Sequence, residues 1–339
     1  MPSNLTGAPR PLIARARLET LLASAASQHV CIVGDAMLDL YLRGDVDRIS
    51  PEAPVPVVRV RERRQALGGA ANVAQNVAAL GAGCDLVAVV GDDRAGETLR
   101  AMLAEGGMPD RSLVTTPRPT TTKTRVMARS QQLVRFDEED DRDLTGPDVD
   151  RVLDAIAAAL PHATALVFED YNKGVLVPAV IEEAVRLATA RGLPVVVDPK
   201  YKNFFAYRGA TVFKPNRREL ESALGAAVNL DDPAALPATF ERLGVQYLLL
   251  TLGEHGMALV DAEGAVHRVP TTAREVYDVV GAGDTVTAYL AAMLGAGATA
   301  LEAAIIANFA AGVEVGKLGA ATVTADEVLA AYDAHFDDL

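Results

Sequence analysis

Near the end of the chain, Asp278-Val279-Val280-Gly281-Ala282-Gly283-Asp284-Thr285 runs directly into a long apolar stretch. Small residues ahead of a helix leave successive backbone N–H groups exposed at the positive end of the helix dipole, which makes a site for an anion. A carboxylate at Asp284 then stands beside that anion. The pairing suits phosphoryl transfer: N–H groups at Gly281, Ala282 and Gly283 stabilise charge building on a phosphate, while Asp284 takes the proton of an attacking hydroxyl. The same residues also read as an acidic cap on a glycine-rich turn.

Further polar clusters recur along the chain. Gly68-Gly69-Ala70-Ala71-Asn72 opens a helical segment; paired glycines permit close backbone approach, and Asn72 can bond a sugar hydroxyl or simply occupy a first helical turn. Gly34-Asp35-Ala36-Met37-Leu38-Asp39 places two carboxylates beyond the first apolar strand, where open α/β sheets bind ligands. Either carboxylate can accept from sugar hydroxyls, and Asp35 is the better candidate for a helix cap. Glu169-Asp170-Tyr171-Asn172-Lys173-Gly174 and Asp198-Pro199-Lys200 follow two other strands, a recurrence that favours one shared cleft. Asn216 and Glu219 share one face of a first helical turn, able to hold Mg²⁺ through water or to form a capping box. Thr251, Gly253 and Gly256 border a tight turn in which a nucleotide phosphate or ribose can rest.

The elements that must position these groups are legible as short β-branched runs alternating with Ala/Leu-rich helical segments. The runs are Val30–Val33, Leu86–Val90, Ala165–Phe168, Val195–Val197, Thr211–Phe213 and Tyr247–Thr251, and they predict an α/β fold with a mostly parallel sheet covered by helices. Residues 41–66 and 119–136 break the rhythm with polar/apolar alternation, predicting exposed antiparallel strands. These can form a small lid sheet over a cleft or against a second subunit, or a plain surface hairpin. The acidic stretch 137–143 reads as a solvated loop before a helix. Thr285 to Leu301 is uncharged but shorter than the roughly 20 apolar residues of a membrane span, so a buried helix is expected there.

With 339 residues, one large domain over 1–339 is expected. A net charge of −13 opposes binding to nucleic acid or to an anionic membrane. Cys31 and Cys84 provide neither a disulfide framework nor a zinc site, and the five histidines lack metal-ligand spacing. Arg10, Arg15 and Arg17 precede only the short apolar piece Leu21-Leu22-Ala23, so no signal peptide and a cytoplasmic protein are expected.

Taken in order, GGAANVA, NRRE, TLGEHG and DVVGAGD resemble the ribokinase/PfkB family of sugar kinases, and the resemblance spans nearly the whole chain. It implies a ribokinase-like fold, with a Rossmann-like central sheet, flanking helices and a small β-sheet lid. It also implies ATP and Mg²⁺ as cofactors and transfer to a sugar hydroxyl. Carried over by position, Asp284 is the base and Gly281, Ala282 and Gly283 form the anion hole. Asn216 and Glu219 match the Mg²⁺-phosphate motif, Thr251, Gly253 and Gly256 the nucleotide loop, and Asn308 the adenine pocket. Asp39, Gly68, Gly69 and Asn72 match the sugar positions.

Within the family, GDAMLDLY, RISPEAPVPVV, EDYNKG, VVDPK and EVYDVVGAGDTV resemble the branch that phosphorylates D-glycero-β-D-manno-heptose 7-phosphate. That branch implies transfer to the C1 hydroxyl, giving a 1,7-bisphosphate for the ADP-heptose of lipopolysaccharide. A kinase of another sugar phosphate and a binding module without turnover are the competing readings. Many members are fused to an adenylyltransferase; no HxGH motif occurs before Leu339, so a stand-alone kinase is expected. The substrate's own phosphate needs basic partners, and Lys123, Arg125, Lys173 and Lys200 are candidates, with Lys200 also a candidate for the nucleotide and Asp170 for the sugar. Val279-Val280 departs from the family pattern, so potassium dependence, with Asp278 as the candidate ligand, stays open. A homodimer closed lid against lid is the expected assembly.

Overall fold

The computed structural model describes residues 12–129, 131–232 and 236–337. Arg10, Ser130 of the second lid segment and Leu339 lie outside the described residues. Helix α1 (Arg15–Ala25) leads into β1 (His29–Gly34), from which the chain rises into a hairpin of β2 (Ala36–Ile49) and β3 (Pro56–Gly69). It returns through α2 (Ala70–Ala79) to β4 (Gly83–Gly91), α3 (Arg94–Glu105) and β5 (Leu113–Thr116). A second hairpin, β6 (Thr122–Ala128) and β7 (Gln131–Glu138), precedes α4 (Pro147–Ala159), β8 (Ala165–Glu169), α5 (Pro178–Thr189), β9 (Val195–Asp198) and β10 (Val212–Phe213). Then come α6 (Arg217–Leu224), α7 (Leu236–Leu243), β11 (Tyr247–Thr251), β12 (Met257–Asp261), β13 (Val266–Val269), α8 (Ala282–Gly295), α9 (Ala300–Glu314) and α10 (Ala325–Asp337).

Among the described residues, nine strands form one sheet in the order β13-β12-β11-β10-β9-β8-β1-β4-β5. All six predicted strand runs lie in it and pair parallel. Strand side chains alternate between faces, and β1 shows it: Val30 and Ile32 join one apolar cluster, Cys31 and Val33 the other. The antiparallel edge of β12 and β13 was not predicted. It follows from the tight Gly253–Gly256 turn, which is long enough for a hairpin but not for a crossover.

A four-stranded sheet, β3-β2-β6-β7, stands over the carboxyl edge of the large one. The two hairpins are antiparallel as expected, but β2 and β6 pair parallel, with Asp39 beside Lys123 and Tyr41 beside Arg125. The reason is topological: β2 follows β1 and β6 follows β5, so both leave the same edge of the large sheet in the same direction. Asp39, Tyr41, Lys123 and Arg125 share one face, and Leu38, Leu40, Leu42 and Val126 the other.

The buried helix expected within Thr285 to Leu301 is α8, which ends at Gly295; Gly297 then takes a left-handed φ of 82° and Thr299 caps α9 in a capping box with Glu302. One further expectation changes. The acidic stretch 137–143 is not simply solvated. Glu139 pairs with Lys173 at 2.7 Å and Asp143 with Lys202 at 2.8 Å, while Arg118 donates to the carbonyls of Asp140 and Arg142. Among the described residues, no helix is long and apolar enough to cross a membrane.

Gly34 ends β1 where a Cβ would lie 2.1 Å from the carbonyl oxygen of Glu169, so the carboxyl ends of β1 and β8 approach only because this residue has no side chain. Gly34→Ala is expected to cost about 1–3 kcal/mol, the range for overpacking, read as a lower urea midpoint.

Candidate active site

Asp284 sits on the first turn of α8, 5% exposed, with both oxygens engaged. Asn72 Nδ2 donates to Oδ2 at 2.7 Å and the Tyr171 hydroxyl donates to Oδ1 at 2.9 Å. Gly281 caps the helix with φ 99°, and a Cβ there would meet Asn72 Nδ2 at 3.1 Å. The first-turn N–H groups behind it have no intrahelical carbonyl to bond and face outward as an anion site. Burial pushes the Asp284 carboxyl up to about 6, against the Asn72 hydrogen bond and with help from Asp198.

Three carboxylates meet here. Glu169 ends β8 and Asp198 ends β9, paired across the sheet, and with Asp284 each offers an oxygen within 4.8 Å of the others. Glu169 is fully buried, and neither of its oxygens has a hydrogen-bond partner. Burial, then Asp198 and Asp284, push its carboxyl well above the usual range. Lys214, the residue after β10, bonds Asp198 at 2.7 Å. Burial works against its charge, but Asp198 and Glu169 outweigh that and raise its pKa. A Cβ on Gly283 would lie 3.7 Å from both Asp198 Oδ2 and Lys214 Nζ, so the helix start adjoins this pair. An all-oxygen donor set with unsatisfied atoms fits a hard divalent cation such as Mg²⁺.

Asn216 and Glu219, expected to hold Mg²⁺ through water or to form a capping box, do form the capping box: Asn216 Oδ1 accepts from the Glu219 N–H at 2.8 Å, and Glu219 Oε2 from the Asn216 N–H at 2.9 Å. Glu219 Oε1 takes Lys200 Nζ at 2.5 Å. Glu169 and Asp198 stand in the strand-end motifs of the sequence without a metal or phosphate role, and Lys214 has no role there. The signal was available, since each stands at the carboxyl end of one of three adjacent parallel strands.

Five of the predicted nucleotide residues come together, whereas Lys200 and Glu219, bonded to each other, are not part of the lining. Asn216, Thr251, Gly253, Gly256, Ala282, Gly283 and Asn308 line one cavity of about 560 Å³. The Asn308 amide donates to the Pro270 carbonyl at 2.8 Å, which holds it as a wall of that cavity.

Of the predicted sugar residues, Asp39, Gly68, Gly69, Asn72, Lys123 and Arg125 lie between the lid and α2. Arg125 bonds Asp39 at 2.5 Å, and a Cβ on Gly68 would come within 2.6 Å of the Asp39 carboxylate. Lys123 Nζ stands 4.9 Å over the ring of Tyr171. Other predicted residues face elsewhere. Asp35 caps no helix: it accepts the N–H groups of Tyr171, Lys173 and Val175. Asp170 is turned into the core, accepting from the Tyr207 hydroxyl and the Asn172 N–H. The Lys173 ammonium goes to Glu139. Asp278 accepts from the Val280 and Gly319 N–H groups, so each of its oxygens helps to fasten a loop. The common cause is that buried loop N–H groups need acceptors, and short acidic side chains supply them.

Residues 27–327 match the model of the pfkB family carbohydrate kinases. The chain is 47% identical over 317 residues to the bifunctional protein HldE of Rhodospirillum rubrum, covering 93% of this chain and 64% of that protein. It is 46% identical over 313 residues to HldE of Paramagnetospirillum magneticum, covering 91% of this chain and 64% of that protein. It thus spans under two thirds of the length of these relatives. Among solved structures, phosphofructokinase-2 from Escherichia coli in complex with potassium superposes with a TM-score of 0.75 at 20% identity, over 91% of this chain and 99% of that one. Arabidopsis thaliana ribokinase complexed with ribose and ATP gives 0.71 at 19%, over 90% of this chain and 98% of that one. The chain belongs to the pfkB family of carbohydrate kinases.

Proposed function

We propose that this kinase transfers the γ-phosphoryl group of ATP to the C1 hydroxyl of D-glycero-β-D-manno-heptose 7-phosphate, giving the 1,7-bisphosphate for ADP-heptose synthesis. The observation that carries the chemistry is the placement of Asp284: a buried carboxylate at a glycine-rich helix start, between the nucleotide cavity and the space under the lid. The choice of sugar rests on the heptose-type motifs and on the HldE relatives.

In this reading Asp284 Oδ1 accepts the C1 hydroxyl proton, and the Tyr171 hydroxyl marks the place the sugar oxygen takes. The sugar oxygen bonds to the γ-phosphorus, the bond to the bridging oxygen breaks, and ADP leaves. First-turn N–H groups and Lys214 hold the charge spread over the phosphoryl oxygens. Glu169 and Asp198 would hold Mg²⁺, with Asn216 and Glu219 reaching it only through water; when bound, it neutralises phosphate charge. Asn72 orients the base, and the lid excludes water that would hydrolyse ATP. Free thiols at Cys31 and Cys84, both buried, accord with a reducing cytoplasm.

The outer lid face carries Val134 and Phe136, 50% and 47% exposed, beside the half-buried Leu40 and Leu42. We assign that face to a second copy of the chain.

Asp284→Asn is expected to lower turnover on the heptose phosphate by roughly 10²- to 10⁴-fold, the range for a positioned general base, with ATP affinity kept. ATP consumption against heptose 7-phosphate, fructose 6-phosphate, ribose and no sugar tests both parts. Turnover on another sugar alone overturns the substrate, and an unchanged mutant rate removes Asp284 from the mechanism.

The base must be ionised to act, so kcat/KM should fall tenfold per pH unit below about 6. Folding stability has the opposite sign. The native carboxyl binds its proton up to about 6, against 3.8 ordinarily, so stability falls as pH rises through that window. Asp284→Asn should therefore have the higher melting temperature at pH 7, with the gap closing below about pH 4. Phe136→Asp should convert a dimer to a monomer by light scattering.

A further inference from the structure

We infer that Lys123 binds the phosphate that the sugar already carries, and so makes this kinase select a phosphorylated sugar; the inference rests on the sugar-phosphate reading above. Four basic residues at the cleft were open candidates, and pairing separates them. Arg125 is held by Asp39 at 2.5 Å, Lys173 by Glu139 at 2.7 Å and Lys200 by Glu219 at 2.5 Å. Lys123 forms no salt bridge among the described residues.

The absence is not for want of nearby acids. Asp39 on β2 and Asp137 on β7 are its direct neighbours across the lid sheet, and Glu139 lies close behind. Asp39 is taken by Arg125, Asp137 by Arg135 at 3.0 Å and Glu139 by Lys173. Four cations thus share three carboxylates, and the surplus positive charge falls on Lys123, within a chain of net charge −13.

Its environment is also costly for a cation. Burial lowers the Lys123 pKa, opposed by Asp39, and the contact above Nζ is the ring of Tyr171, which Lys200 approaches too, at 5.4 Å. An ammonium drawn out of water without a counter-ion is stabilised by an anion arriving in the same space, and a phosphate monoester is such an anion. Tyr171 ties the two ends of the substrate together: its ring lies under Lys123 and its hydroxyl on Asp284. A sugar whose attacking hydroxyl replaces the Tyr171 hydroxyl therefore occupies the same cleft as the ammonium.

Lys123→Met and Lys123→Arg, in the full chain, test this with heptose 7-phosphate and the unphosphorylated heptose side by side. For Lys123→Met the KM for the sugar phosphate should rise about 10- to 100-fold, as for loss of a charge-assisted hydrogen bond, while the KM for ATP stays within a few-fold. The ratio of kcat/KM between the two sugars should collapse toward one, and Lys123→Arg should recover most of it. Equal losses on both sugars would mean that Lys123 only supports the lid, and would overturn the inference. If the wild type turns over neither sugar, the kinase substrate is wrong, and calorimetry with glucose 6-phosphate and inorganic phosphate decides separately. Binding weakened at least tenfold in Lys123→Met upholds the phosphate site, and binding equal to wild type, or none in the wild type, rejects it.

Discussion

Gathering Glu169, Asp198 and Asp284 within 4.8 Å of one another in a buried space is the constraint around which the rest of the molecule is arranged. Three ionised carboxylates so close and so dry repel each other strongly. The structure relieves this in three ways. Lys214 places one positive charge against Asp198. Asn72 and Tyr171 donate to Asp284 and favour its ionised form. Glu169, with no donor at all, is pushed toward keeping its proton. The arrangement is held at rest yet gains from any cation that enters, which is what a phosphoryl-transfer site requires.

The parallel sheet makes the cluster possible. Adjacent strands end at one edge, so residues far apart in sequence, such as Glu169, Asp198 and Lys214, become neighbours through backbone pairing alone. Helix α8 then enters over that edge with its N-terminus first, bringing Asp284 and the exposed N–H groups of its first turn together. Gly34 lets the ends of β1 and β8 approach, and Asp35 collects three N–H groups of the loop that carries Tyr171. A carboxylate that resembles a ligand in the sequence thus acts one step back, holding the loop whose tyrosine touches Asp284.

This explains which parts were legible in the sequence. Strand runs and the GAG helix start depend on local pattern and dipole, and they lie where expected. That Thr251, Gly253 and Gly256 border one tight turn was readable because glycines mark such turns in a sequence. Less readable was the choice among acidic residues after strands. Asp35, Asp39, Asp170 and Asp198 look alike in sequence, and only burial and nearby donors separate scaffold from site: Asp170 meets Tyr207, Asp198 meets Lys214. Asn216 and Glu219 form a capping box that would look the same in a protein without a metal. The parallel junction of β2 and β6 was hidden because register and direction depend on which edge each hairpin leaves, which residue alternation does not encode.

The lid carries the opposite electrostatic balance from the floor beneath it. The floor concentrates acid and accepts cations; the lid's inner face carries Lys123, Arg125 and Arg135 against Asp39 and Asp137. Arg64 on β3 reaches the Leu318 carbonyl in the turn after α9, so the lid also touches the region beside the GAG loop. In the proposed reaction a substrate bearing phosphate at one end and a nucleophilic hydroxyl at the other matches this polarity, its anion toward the lid and its hydroxyl toward Asp284. A neutral sugar satisfies only the second half. In the proposed reaction an anion held there also lowers the cost of burying Lys123, because the attraction is stronger away from water.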